Sequence, residues 1–170
     1  MITTGSMQRV NKLLSNPDYL SYLQNNYETE KERIFCSHGF EHLLATARLT
    51  WLFLLEDGNP YISREIAYAA GLLHDIGRWL EYCDGGDHAL LSSRLALPVL
   101  NNAGFSRAES RLISQAIEEH RIPDHSISCR SALSAALYKA DNHSRICFSC
   151  SAAQECNKLD KQPHKTGLEY

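Results

Sequence analysis

From residue 38 to residue 56 apolar side chains recur at helical spacing, and Asp57-Gly58-Asn59-Pro60 ends the run. The same grammar repeats along the chain. Asn16-Pro17 is a capping residue followed by proline at a first helical position, opening a segment to about Tyr27. Ser63 is a plain cap for a helix to about Leu73, after which His74-Asp75-Ile76-Gly77 marks a bend. Asp84-Gly85-Gly86-Asp87 reads as a loop, with a helix from Asp87 to Asn102 behind it. Ser106 and Glu109 have the spacing of a capping box for a helix through His120, broken at Ile122-Pro123-Asp124. Ser128 or Ser131 opens a last long helix that carries Tyr138 to Asn142. No segment keeps a two-residue alternation, so the fold class is all-α: a compact bundle of several helices.

A chain of 170 residues is the size of one domain, and 44% apolar residues suffice for a real core. Seventeen Lys and Arg against twenty Asp and Glu leave a net charge of −3, which argues against a large basic surface for nucleic acid. The longest strictly apolar run, Trp51 to Leu55, is far short of the roughly 20 residues that span a bilayer. Met1 to Val10 lacks a charged-then-apolar signal pattern, so a cytoplasmic location is expected. There the cysteines are expected as reduced thiols or metal ligands. Eight histidines and six cysteines are many for this length, and both counts point to metal.

The histidines matter through their context. His42 shares a helical face with Ala45, Leu49 and Leu52 and points into the domain. His74-Asp75 ends an apolar helix, and Asp141 follows Leu133, Leu137 and Tyr138 on another. Polar groups on several core-facing stripes are costly unless they satisfy one another or bind a cation. Facing helices of a bundle are a common source of such imidazole and carboxylate ligands.

The order His42, His74-Asp75, Asp141 resembles the HD-domain metal-dependent phosphohydrolases, an all-helical superfamily. The local wording resembles it too, in His38-Gly-Phe-Glu-His42-Leu-Leu-Ala-Thr-Ala-Arg48 and in Ala70-Gly-Leu-Leu-His74-Asp75-Ile-Gly-Arg78. His88 and His120 lie between the doublet and Asp141, and resemble the extra histidines of the two-metal branch. The resemblance covers roughly residues 36 to 146. It implies a metal centre between core helices, with Asp75 bridging two ions. His42, His74 and Asp141 would complete one site, and His88 and His120 the other. His38, one turn before His42 on the same face, is an alternative to it. Imidazole suits Fe, Mn, Co, Ni or Zn, and carboxylate oxygens suit harder cations. Asp75 is expected to help position the attacking water, and Arg78 and Lys139 to neutralise phosphate charge.

His38-Gly-Phe-Glu41-His42 also reads as H-x-x-E-H, the inverted zinc-protease signature, with Glu118 or Glu119 in range as a third ligand. Those proteases are several times longer, and that motif leaves His74-Asp75, His88 and Asp141 unexplained. A separate cluster, Cys147, Cys150 and Cys156, has C-x2-C-x5-C spacing and suggests a structural zinc or an iron–sulfur cluster. Its fourth ligand would be Cys129, Cys36 or a histidine. Free thiols in a frayed tail are the plain alternative.

Two parts are therefore expected. Residues 1–146 form the helical domain, with an N-terminal helix at about 16–30 and a core at 36–146. Residues 147–170 form a cysteine-containing tail, polar and Lys-rich from Asn157 and loosely held. The expected activity is hydrolysis of a phosphate ester or anhydride in a nucleotide or other small phosphorylated metabolite. A di-iron oxygenase of the same fold, or a metal-bearing sensor without turnover, are the competing readings.

Overall fold

The computed structural model describes residues 6–59, 61–123, 126 and 130–168. Eight α-helices occur among them, with no strand. These are α1 (Gln8–Leu14), α2 (Pro17–Glu30), α3 (Phe40–Glu56), α4 (Arg64–Leu73), α5 (Arg78–Asp84), α6 (His88–Ala103), α7 (Arg107–Glu119) and α8 (Ala132–His143).

The caps act where the sequence places them. Asn16 accepts from the backbone N–H groups of Asp18 and Tyr19, Ser63 from Ile66, and Asp87 from Ala89. Ser106 and Glu109 close a complete capping box on α7, and Ser131 caps α8, while Ser128 lies outside the described residues. Each oxygen satisfies an amide that the first helical turn leaves without a partner. Two seven-residue helices, α1 and α5, escape the sequence reading, because each is too short to show a periodic stripe.

Helix α3 packs against α4 and α8, and α6 against α7, around a core that includes Leu43, Ala47, Leu54, Leu73, Ile76, Leu133 and Leu137. The closest approach is at Gly71. A Cβ there would lie 2.4 Å from Ala47 Cα, so only hydrogen lets α3 and α4 meet at this depth. That contact sits one turn before His74 and fixes its height against α3, the helix that carries His42.

The bend at 74–77 is held from three sides. Ile76 is fully buried. The Gly77 N–H donates to Ser92 Oγ on α6 at 2.9 Å. From α2, buried Asn26 donates through Nδ2 to the Asp75 carbonyl and accepts from the Trp79 N–H through Oδ1, both at 2.9 Å. One side chain therefore clamps the exit of α4 to the entry of α5. Because its backbone is clamped, Asp75 presents its carboxylate in a fixed direction.

The tail is more ordered than its composition suggests. After α8 it forms three short 3-10 turns, Cys147–Ser149, Ala153–Glu155 and Leu159–Lys161. His164 is fully buried: its Nε2 lies 3.0 Å from the His143 carbonyl, and its own carbonyl accepts from the Phe148 N–H at 2.8 Å. A polar segment is thus held by hydrogen bonds and one buried ring, which composition alone does not reveal.

Candidate metal centre

Helices α3, α4, α6, α7 and α8 each deliver a ligand-type side chain to one buried point, and Asp75 stands in the middle. Its Oδ2 lies 3.3 Å from His74 Nε2, 3.6 Å from His42 Nε2 and 3.8 Å from His38 Nε2. Its Oδ1 lies 3.2 Å from His88 Nε2 and 3.6 Å from His120 Nε2. Asp141 Oδ1 closes the first side, 3.3 Å from His42 Nε2 and 3.5 Å from His74 Nε2. Two ligand groups result: His42, His74, Asp75 and Asp141 on one side, and Asp75, His88 and His120 on the other. They share Asp75 and nothing else.

The opposite ring nitrogens are all engaged. His74 Nδ1 donates to the Gly71 carbonyl at 2.8 Å, and His120 Nδ1 to the Ile117 carbonyl at 2.6 Å. His42 Nδ1 meets Ser144 Oγ at 3.1 Å, and that hydroxyl passes its own proton to the Asp141 carbonyl at 2.7 Å. His38 Nδ1 is held by the Glu30 carboxylate, which also accepts from the His38 N–H at 2.6 Å and from the Tyr82 hydroxyl at 2.9 Å. His88 Nδ1 lies 3.0 Å from Glu81 Oε2, although Arg78 Nη1 stands 2.6 Å from the same nitrogen and competes for it. Fixing a proton on Nδ1 leaves the Nε2 lone pair free, which is how metal-binding histidines are oriented from behind.

The residues fit a cation. Asp75 Oδ1 and Asp141 Oδ1 are buried without a hydrogen-bond partner, an arrangement that costs free energy unless positive charge meets those oxygens. Burial opposes a charge on His74, yet the neighbouring Asp75 and Asp141 carboxylates hold its pKa up at about 10. Burial likewise opposes ionised Asp75, and the facing imidazoles keep it well below the usual carboxylate range. For His38 burial wins, and its pKa falls despite Glu30 and Asp75. Nitrogen and oxygen donors of this mixture suit Fe, Mn, Co, Ni or Zn.

A cleft of about 340 Å³ opens onto the cluster, lined by His38, Asp75, His88, His120 and Asp141, with Arg78 and Arg145 beside them. Arg78 Nη2 lies 3.3 Å from His38 Nε2, and Arg145 Nη2 lies 3.4 Å from His42 Nε2.

Several expectations change on this geometry. His38 does not replace His42: it lies in the link before α3, not one helical turn ahead of His42, and both imidazoles face Asp75 Oδ2. Lys139 does not line the cleft. Its ammonium lies 3.9 Å from the Phe53 ring centre, in a separate groove, and Arg145 is the second cation at the histidines. Glu41 and Glu118 are exposed, and neither they nor Glu119 joins a ligand group, so the protease-like motif has no third ligand. Among the described residues no cysteine joins a group of three or more ligand atoms close enough to share one ion. Cys147 and Cys156 line the cleft with Cys36, Cys150 is exposed, and Cys129 lies outside the described residues. Burial raises the Cys147 thiol, which keeps it in the weakly binding protonated form.

The HD domain, as a family profile, matches residues 39–146, a span that contains all six residues of the two ligand groups. An uncharacterized protein from Clostridium beijerinckii is 36% identical over 156 residues, covering 92% of this chain and 96% of its own length. The chain belongs to the HD domain family, whose members are generally metal-dependent hydrolases, and carries the additional histidines of a two-site centre. No solved structure matches it. His38, Glu30 and Asn26 precede the matched span, so part of the support for Asp75 comes from outside it.

Proposed function

We propose that the protein is a phosphohydrolase that cleaves a phosphate ester or anhydride in a nucleotide or other small phosphorylated metabolite. The observation that carries this reading is the convergence of histidine Nε2 atoms on both oxygens of Asp75, with every Nδ1 engaged behind, at the floor of an open cleft. His42, His74, Asp75 and Asp141 would hold one divalent transition metal, and Asp75, His88 and His120 a second. Bound there, a metal pair would supply an acidified water and a clamp on the attacking and leaving oxygens of a phosphoryl transfer.

The remaining groups do ordinary electrostatic work. Arg78 and Arg145, each within 3.5 Å of a cluster histidine, offer guanidinium N–H donors to phosphate oxygens at the cleft floor. Glu81 takes an N–H from Arg78 at 2.6 Å and fixes the direction of that fork. Glu30 holds His38 by its Nδ1, which leaves Nε2 facing Asp75 Oδ2 at 3.8 Å. Five free thiols, none paired in a disulfide among the described residues, suit the reducing cytoplasm.

The test is turnover by metal-reconstituted protein on a panel of nucleotides and phosphate monoesters, beside the Asp75→Ala variant. We expect phosphate release that disappears on chelation and is at least about a thousandfold lower in the variant, which loses a bridge between both sites. Hydrolysis at the wild-type rate by Asp75→Ala, or none by the metal-loaded wild type, would overturn the reading.

A further inference from the structure

The cleft and the chain have opposite charge. The protein carries a net −3, yet Arg33, Arg78, Arg121, Arg145 and Lys158 all line the cleft. Among the described lining residues the only carboxylates are Asp75 and Asp141, and both face the histidines. The five cations come from five separate segments: the links after α2, α7 and α8, the first residue of α5, and the tail. No single solvated helix face accounts for that arrangement.

Their own partners neutralise only part of the charge. Glu81 serves two arginines, at 2.6 Å from Arg78 and 3.8 Å from Arg121, and Asp87 adds a contact to Arg121 at 3.6 Å. Among the described residues the Arg33 side chain meets the Tyr82 hydroxyl, at 3.0 Å, and the Tyr82 ring. Arg145 has His42. Among the described residues no carboxylate lies within ion-pair distance of Arg33, Arg145 or Lys158.

One phosphoryl group at the cleft floor is matched by the metal sites with Arg78 and Arg145. It would leave Arg33, Arg121 and Lys158, all exposed, without a phosphoryl group to meet. Gathering like charges around a concave surface is unfavourable unless a ligand of opposite sign spans them, and such a surface concentrates polyanions. Phe35, 41% exposed in the same lining, offers an apolar face to an organic moiety.

We propose that the site takes an organic polyphosphate, a chain of two or more phosphoryl groups on an organic moiety. The reacting group lies near Arg78 and Arg145, and the others lie against Arg33, Arg121 and Lys158. In hydrolysis, water forms one new P–O bond to the reacting phosphorus, the bridging P–O bond breaks, and the departing phosphate keeps the bond pair while water's proton goes to solvent. The reacting position rests on the phosphohydrolase reading above; the binding does not.

Calorimetry on metal-reconstituted protein, with metal content confirmed after each titration, would compare inorganic phosphate, pyrophosphate and tripolyphosphate. We expect tripolyphosphate to bind at least about tenfold tighter than phosphate, with an advantage that shrinks as salt rises. Arg33→Gln, Arg121→Gln and Lys158→Gln, at exposed positions, should each weaken tripolyphosphate binding about threefold to tenfold, while Lys12→Gln on α1 should not. Equal affinities for the three anions, or undiminished binding in all three cleft variants with native circular dichroism, would overturn the proposal. The substrate panel separates the two ideas. Tight tripolyphosphate binding without turnover keeps this assignment and sinks the phosphohydrolase. Turnover of monophosphates with no gain from a longer chain does the reverse.

Discussion

Ser144 shows how much of a metal site lies behind its ligands. Its hydroxyl accepts from His42 Nδ1 and donates to the Asp141 carbonyl, so one small side chain couples two ligands of the same group. Ser144→Ala leaves all ligand atoms in place but frees the His42 ring and its tautomer. We expect metal affinity at the His42 side to fall about tenfold, with little change in stability, as read by competition with a chromogenic chelator. Unchanged affinity would show that packing alone orients His42. Polar groups on core-facing stripes made His42, His74, Asp75 and Asp141 readable in the sequence, because burial of such groups demands a partner. Glu30, Glu81, Ser144, Asn26 and Arg145 were not readable. Asn26, Ser144 and Arg145 act across long stretches of chain, Ser144 meeting His42 from 102 positions away. Glu30 and Glu81 are near His38 and Arg78 in sequence but stand in no motif that marks them.

The helices place these groups, and the α3–α4 contact is the tightest part of that scaffold. Gly71→Ala sets two effects against each other. Alanine gains up to about 1 kcal/mol of helix propensity. The added Cβ would lie 2.4 Å from Ala47 Cα and 2.5 Å from Ala47 N, backbone atoms that cannot swing aside. Overpacking of that kind costs about 3 kcal/mol or more, so the clash wins. We expect a lower urea midpoint and weakened metal binding together, since His74 is displaced from α3; a stability equal to wild type would contradict this close contact. At this level the sequence was most legible where a cap meets a long stripe, as at Ser63, Asp87 and Ser106. It was least legible in short helices and in the tail, whose order depends on His164 finding the His143 carbonyl.

Across the whole molecule, the N-terminal helix is tied to the bundle by Arg9, which meets Glu65 at 2.7 Å and Glu109 at 2.8 Å. Burial works against ionised Glu109, but Arg9 and the Ser106 amide hold its pKa below the ordinary 4.5. A carboxyl depressed on folding adds stability that is present above its unfolded pKa and is lost as pH falls through the folded value. The urea midpoint of wild type should therefore exceed that of Arg9→Ala at pH 7, and the two should converge below about pH 4.5. A constant gap down to low pH would show that Arg9 acts through its packing over Phe105 instead. The fold also explains the charge pattern. A chain of net −3 concentrates cations at one cleft and turns its two cleft carboxylates toward histidines, so local chemistry departs from the sequence average.

All of this depends on Asp75 as a shared ligand between two cation sites. The most direct test is the metal content of protein reconstituted with a divalent transition metal and freed of excess, for wild type and Asp75→Ala in parallel. We expect two ions per chain in the wild type and less than one in the variant, which loses a ligand from both groups at once. A wild type that retains no metal, or a variant that retains as much as wild type, would contradict it.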